Sequence, residues 1–467
     1  AAEVSKHCAE DDAWVAINGV VWDVTGFASK HPGGDQIIRD SFGKDGSEAY
    51  NTIHGPGLVA RHLGAEKRIG ELEGVLPASP KPHGTQPQEP TSAKADLNSI
   101  VNLSQFREVA EQNMIDGTWG YVAGATEDAI SYRMNADWYQ RVLFRPRILK
   151  KVKTVDMRTK FFGQTFDLPF FNAPTSSVKL SHPDGELAIA RASVAFGAPA
   201  IIPTMGSYSP QEIVDVLPPG YPFFFQLYVY ADRSITKRLL EEVAQLKPLG
   251  ILFTVDLPVI SKREITPRIR KQVQEAGKGK AAAPPPVNNA IDENIGWEDI
   301  AWIRECVGDI PIFLKGIQCA ADARRALEYG CTGIYLSNHG GRALDTAVPA
   351  ILTLMEIHAS CPEILGKMEI IVDGGIRRGR DILKAICLGA SLVGIGRPFL
   401  YSLQYGEDGA KKAFHILRDE LQKAMQLVGI TSLAEAHPGL LNTADLDRFV
   451  YSGDAHPWLR KVERSRL

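Results

Sequence analysis

The chain has 467 residues, with 52 basic and 55 acidic side chains and a net charge of −3. It is too long for one ordinary core, and its balanced charge gives no argument for a nucleic-acid or membrane-surface partner. No apolar run reaches the roughly 18–20 residues that span a bilayer, and six scattered cysteines without a Cys-x-x-Cys suit a reducing compartment and argue against a zinc ribbon or disulfide scaffold.

The first 74 residues carry His31 in "FASKHPGGDQII" and His54 in "YNTIHGPG". Each stands at a helix-to-turn junction among apolar residues. The pair reads either as turn residues or as two axial ligands to a haem iron. No Cys-x-x-Cys-His is present, so such a haem is held by coordination alone. With both axial positions filled it passes electrons and does not activate oxygen. His7 and His62 lack this context and read as surface residues. Residues 75–96 hold five prolines and almost no apolar side chains after Leu76. They read as a semi-rigid, mobile linker.

Residues 97–467 show eight apolar runs, each followed by glycine or polar residues and a helix-like stretch. They are "PFFNAPT", "APAIIPTM", "FFFQLYV", "GILFTVD", "PIFLKGI", "GIYLSNHG", "MEIIVDGGI" and "LVGIGR". Near-continuous apolar strands are buried on both faces, as in parallel sheets. Eight of them alternating with helices predict an α/β fold, a (β/α)8 barrel behind a small α+β domain. No early Gly-x-Gly-x-x-Gly supports the doubly wound alternative. An inserted loop at about 259–296, rich in Gly, Ala and Pro, reads as a lid or interdomain contact.

Barrel chemistry sits at the C-terminal strand ends. These carry Gln226 and Tyr228, Thr254 and Asp256, Lys315, Ser337, His339 and Arg342, then Asp373, Gly375, Arg377, Gly396 and Arg397. Glycines and arginines after the last two strands read either as tight strand-to-helix turns with surface arginines or as a phosphate site. Lys315, buried at a strand end, needs either a carboxylate or a ligand, and beside the N1–C2=O edge of a flavin it would stabilise the reduced anion. Asp256 reads either as a partner for His339 or as a helix N-cap.

"DDAWVAINGVVWDVTGF", "HPGGDQII" and "HGPG" together resemble a cytochrome b5-type domain, a likeness that places the axial ligands on His31 and His54. "QLYV", "TVD", "KREI", "IFLKGIQ", "LSNHGGRALD", "VDGGIRRG" and "GIGRPFLY" resemble the FMN-dependent α-hydroxy acid dehydrogenase and oxidase family from about residue 97 to 441. The resemblance implies FMN and haem b as cofactors and oxidation of an L-2-hydroxy acid, lactate or bulkier, with a cytochrome c-like acceptor. It implies His339 as base, Asp256 as its partner, Arg342 on the substrate carboxylate, Arg263 as a second active-site cation and Tyr228 on the substrate hydroxyl. Gln226, Thr254, Lys315, Ser337 and Ser176 would face the flavin ring. Asp373, Gly375, Arg377, Gly396 and Arg397 would hold its ribityl and phosphate. A homotetramer is also implied.

Three positions depart from the family pattern. Gly120 stands where the first of two loop tyrosines is usual, beside Tyr121. Ser176 stands for a small apolar residue, and Pro203 for a serine. Rival readings are a peroxide-forming oxidase and a non-catalytic redox protein. The chain opens without Met, consistent with a removed leader. It ends in Ser-Arg-Leu, a peroxisomal address variant, whereas the family resemblance suggests the mitochondrial intermembrane space.

Overall fold

In the small domain, alternating apolar side chains build an antiparallel sheet. Its strands, in spatial order, are β1 (Cys8–Ala9), β2 (Asp12–Ile17), β3 (Val20–Asp23) and β4 (Arg68–Glu71). Asn18 and Gly19, at φ 50° and 78°, form the two-residue turn between β2 and β3, a pair suited to two left-handed positions. Helices α1 (Asp35–Arg39), α2 (Ser47–Ile53) and α3 (Leu58–Leu63) complete the domain. Val15, Ile17, Trp22, Val24 and Phe42 form its own core. This computed structural model describes residues 1–31, 35–79, 94–264 and 291–451. Most of the 75–96 linker and the 259–296 insertion, the Pro-Gly-Gly after His31, and the C-terminal Ser-Arg-Leu lie outside the described residues.

The large domain begins with α4 (Leu103–Asn113), α5 (Asp116–Ala123) and α6 (Ile130–Arg141). Strand β5 (Leu143–Phe144) pairs with β16 (Leu441–Asn442) near the other end of the domain. A hairpin, β6 (Thr159–Phe161) and β7 (Gln164–Phe166), precedes the barrel. All eight expected strands then form. They are β8 (Phe170–Asn172), β9 (Ala200–Pro203), β10 (Phe223–Leu227), β11 (Gly250–Thr254), β12 (Ile312–Ile317), β13 (Gly333–Leu336), β14 (Glu369–Val372) and β15 (Leu392–Ile395). Every ladder between them is parallel, in the order β8-β15-β14-β13-β12-β11-β10-β9. Among the described residues no helix is long and apolar enough to cross a membrane.

Side chains alternate across a strand, so every second residue faces the barrel axis. Phe171, Phe224, Leu252, Phe313, Tyr335, Ile371 and Leu392 meet there, and Phe161 and Phe166 of the hairpin pack beneath them. Burying each phenylalanine contributes about 1.5–3 kcal/mol, so the lower barrel is a filled plug. Two residues further along successive strands, the inward positions change character to Gln226, Thr254, Lys315, Ser337 and Asp373, all buried. Two further again come Tyr228, Asp256, His339 and Gly375. The barrel is thus layered into an apolar plug, a polar floor and a reactive rim.

Candidate active site

The polar floor holds two linked groups. Gln226 Nε2 donates to Thr254 Oγ1 at 3.0 Å, Lys315 Nζ donates to Ser337 Oγ at 3.1 Å, and the ammonium lies 3.6 Å from Asp373. Lys315 owes its aim to a break in the β12–β13 ladder. The register shifts between Lys315 and Ile317 while Gly316 adopts φ +112°, a bulge that re-aims a side chain. A Cβ on Gly316 would lie 2.4 Å from the Asp256 Cβ, so this glycine also makes room for Asp256.

At the rim, His339 Nδ1 lies 2.9 Å from Asp256 Oδ1, and the Tyr228 hydroxyl lies 3.2 Å from Nε2. Of the two readings open for Asp256, the partner of His339 is the one observed. His339 has φ 58°, a left-handed backbone that non-glycine residues seldom adopt and that clusters at functional sites. Its N–H donates to Ser337 Oγ at 3.0 Å. Burial pushes the imidazole below its ordinary pKa, against the raising pull of Asp256. Burial alone would raise the Asp256 carboxyl, but the charges of His339 and Lys315 bring it below its usual value. Burial also drives the Tyr228 phenol well up, so it is protonated.

Arginines surround this pair. Arg342 donates to the Tyr121 carbonyl, and its guanidinium lies 5.3 Å over the Tyr121 ring. Burial first, then Arg263 and Arg397, disfavour its charge. A guanidinium stays protonated nonetheless, so an anion bound here would relieve the crowding. Arg397 donates to the Gly340 and Gly124 carbonyls, both at 2.9 Å, and lies over Tyr132, with Arg377 on the same ring. Gly375 has φ 84°, and a Cβ there would meet the Asn135 carbonyl at 1.9 Å. The Val372-Asp373-Gly-Gly turn therefore lies directly on α6. Gly396 immediately precedes the helix Arg397–Ser402.

Several buried polar atoms here have no protein partner: Asn172 Oδ1, Thr175 Oγ1 and the Nε atoms of Arg263, Arg342 and Arg397. Buried polar groups are normally satisfied. Three orphaned guanidinium donors above a buried lysine fit two anions, one phosphate-sized and one carboxylate-sized. The donor set therefore fits FMN together with a carboxylic acid.

The small domain places its two histidines face to face. The His31 and His54 ring centroids are 6.1 Å apart at 82°, close to the roughly 6 Å spanned by two imidazoles each about 2.0 Å from one metal ion. Burial, followed by nearby His31, His62 and Lys179, pushes His54 down to about 3. It is neutral, as a ligand must be. The facing pair of imidazoles therefore fits a haem iron.

Three expectations need correction. His62 and His7 are not surface residues: His62 is half-buried with its ring edge-on to Tyr230 at 6.4 Å, and His7 stacks on Trp14 at 3.6 Å. The segment holding Gly120 is not a loop but helix α5, with Gly120 on its buried face. Pro203 ends β9 beside Gln226, where its missing N–H breaks no inner ladder. Ser176 lies in the turn after β8, just before Ser177 at φ 57°. Sequence reasoning also missed Tyr132, clamped between two arginines, and the reciprocal amide pair of Asn135 and Asn338 at 2.8 and 2.9 Å. Asn338 sits beside His339 in the quoted motif, a position that signals support for the base.

Comparison with known proteins was consistent across sequence and structure. The FMN-dependent dehydrogenase family matches residues 110–443, and the cytochrome b5-like heme/steroid binding domain matches residues 1–73. L-lactate dehydrogenase (cytochrome) of Saccharomyces cerevisiae is 36% identical over 95% of this chain and 80% of its own length. Glycolate oxidase 3 of Oryza sativa subsp. indica is 38% identical over 73% of this chain and 95% of its own. Among solved structures, a double mutant of flavocytochrome b2 with pyruvate bound aligns at TM-score 0.70 and 36% identity, covering 78% of this chain and 91% of the other.

Proposed function

The chain belongs to the FMN-dependent dehydrogenase family, with a cytochrome b5-like domain ahead of the barrel. On that premise we propose that it oxidises an L-2-hydroxy acid, lactate or a bulkier analogue, to the 2-keto acid and passes the electrons through its haem to a cytochrome c-like acceptor. The observation that carries this reading is a His339–Asp256 pair facing orphaned arginine donors above a buried lysine. Removing two electrons from a hydroxy acid requires a grip for its carboxylate and a base for its proton.

Arg342 and Arg263 supply the grip, since a guanidinium pairs with a carboxylate in a fixed orientation. Asp256 accepts a hydrogen bond from the Nδ1–H of His339, which leaves the Nε2 lone pair toward the site and beside the Tyr228 hydroxyl. A neutral imidazole accepts the substrate proton there, and the imidazolium so formed is stabilised by the buried carboxylate. When bound, FMN supplies the two-electron acceptor and haem b a one-electron relay. Gln226, Thr254, Lys315, Ser337 and Ser176 would hold the flavin ring, with Asp373, Gly375, Arg377, Gly396 and Arg397 along its ribityl phosphate. His31 and His54 would hold the iron. A small apolar cluster of Tyr228, Leu257 and Ile291, with Met205 and Ala343 packed on it, offers a seat for the substrate side chain.

Anaerobic addition of a panel of L-2-hydroxy acids tests the activity. The expected result is bleaching of flavin absorbance near about 450 nm by at least one member, and no response to any of them would end the enzymatic reading. The second reading, a peroxide-forming oxidase, draws on the glycolate oxidases that match the barrel region. Likeness to a cytochrome-linked dehydrogenase over 95% of the chain favours cytochrome c, so reduced enzyme should be reoxidised faster by cytochrome c than by oxygen. We propose further, from the family resemblance alone, a homotetramer in the mitochondrial intermembrane space.

A further inference from the structure

The small domain rests on the barrel through the residues that directly follow its second haem ligand. The Gly55 N–H donates to the Ser207 carbonyl at 2.5 Å, and the Gly57 N–H donates to Glu212 Oε1 at 3.2 Å. From the barrel side, Lys179 Nζ donates to the carbonyls of Asn51 at 2.8 Å and His54 at 3.0 Å. Those carbonyls close the C-terminal end of α2, where the last carbonyls lack intrahelical donors and the dipole favours a cation. A lysine of one domain therefore caps the helix that delivers the haem ligand of the other. Arg61 and Glu242 extend the seam at 3.0 Å.

The glycines are the telling feature. Neither Gly55 nor Gly57 has a positive φ, so the backbone does not require glycine at either place. Their neighbours do. A Cβ on Gly55 would lie 2.5 Å from Tyr208 Cδ1, and one on Gly57 would lie 3.1 Å from Glu212 Oε2. Tyr208 is not free to swing away. Its hydroxyl donates to the Pro183 carbonyl at 2.9 Å, and Lys179 lies 5.2 Å over its ring. Glu212 is committed to Ser209, accepting from its N–H at 2.8 Å and its hydroxyl at 2.7 Å. Behind the seam, buried Glu186 accepts from the Ser207 N–H at 2.8 Å and the Val178 N–H at 3.2 Å. One carboxylate thus ties together the two rim loops that meet the small domain.

We propose that residues 54–57 are a docking loop, in which glycines 55 and 57 let the chain after the haem ligand lie flush on barrel residues 207–212, and that Lys179 locks it there. The seam positions His54 for electron passage from barrel to haem and leaves substrate oxidation alone. This rests on the flavin-and-haem reading above. Gly55, Gly57, Tyr208 and Lys179 act as positioning residues.

The test uses the full-length holoenzyme carrying Gly55→Val, mixed anaerobically with L-lactate or whichever acid bleaches the wild type. Flavin bleaching should keep its wild-type rate, while haem reduction slows about tenfold or more, since small misplacements carry large rate costs. The haem spectrum should not change, and hydrogen exchange should show the amides of residues 55 and 57 losing protection. Adding Tyr208→Ala to the same protein opens the space and should restore both haem reduction and protection. Wild-type haem reduction with intact protection in Gly55→Val would overturn the proposal. So would equal slowing of bleaching, or an altered haem spectrum, which would assign the glycine to the haem pocket instead. If Gly55→Val yields no holoprotein, Lys179→Met reads the same step from the barrel side, and no slowing of haem reduction there overturns the proposal equally. Failure of every acid to bleach flavin would remove the proposed activity, yet the exchange measurement would still decide the docking.

Discussion

The barrel rim and the haem crevice both present histidines, but they hold them in opposite ways. His339 lies in the turn after a strand of a nearly closed sheet and is fixed by Asp256 and Tyr228, each just past the end of another strand and far away in sequence. His31 and His54 are the residues at which short helical turns stop, both in extended backbone, and the ring nearest His54 besides His31 is Tyr50, one helical turn back. The rim is assembled from the whole barrel, whereas the crevice is assembled locally. Chemistry at the rim should therefore be separable from the haem, and the two regions should meet only at the seam.

The sharpest way to break this contrast is His339→Gln. Loss of a general base costs on the order of 10²–10⁴-fold, so flavin bleaching should fall by that range while the haem spectrum and its reduction by dithionite stay as in the wild type. A changed haem spectrum would mean that the regions are not independent. Arg342→Lys comes next. It exchanges a planar fork for a point charge and should raise KM for the acid about tenfold, equivalent to roughly 1.4 kcal/mol. With Gly120 in place of a tyrosine, this loss should exceed that of the same change in a relative that has the tyrosine. Equal losses would show that Gly120 is irrelevant to carboxylate binding.

The smallest effect is in pH. His339 acts while neutral, and burial sets its pKa below the ordinary value of about 6.5. The bleaching rate should therefore be level at neutral pH and fall only on the acid side of that value. Asp256 raises the His339 pKa, so Asp256→Asn should move the acid limb to lower pH while lowering the plateau. A limb that moves to higher pH would contradict the assigned pairing.

Much of this was legible in the sequence, for physical reasons. Strands buried on both faces must be apolar throughout, so the eight runs stood out, and the polar residues closing them marked the rim. The helix at α5 was hidden because Gly117 and Gly120 are poor helix formers, and its stability comes from burial against the barrel. The bulge at Gly316 had a visible signal, a lone glycine inside an apolar strand, although its consequence for Lys315 needed the partner strand. His62 could not be placed, because its burial depends on Tyr230, contributed by the other domain. The seam was illegible for the same reason. Its glycines satisfy no local backbone demand, so nothing nearby in the chain explains them.

The plug beneath the polar floor has one more consequence. Phe161 and Phe166 cork one end of the barrel, and the small domain leans on the rim at the other. Cofactor and substrate therefore enter from the side on which the small domain rests. Traffic there is a queue: the flavin has to be seated before anything else can happen, the acid comes and goes above it, and the haem domain takes its place at an edge that the other two must be able to pass.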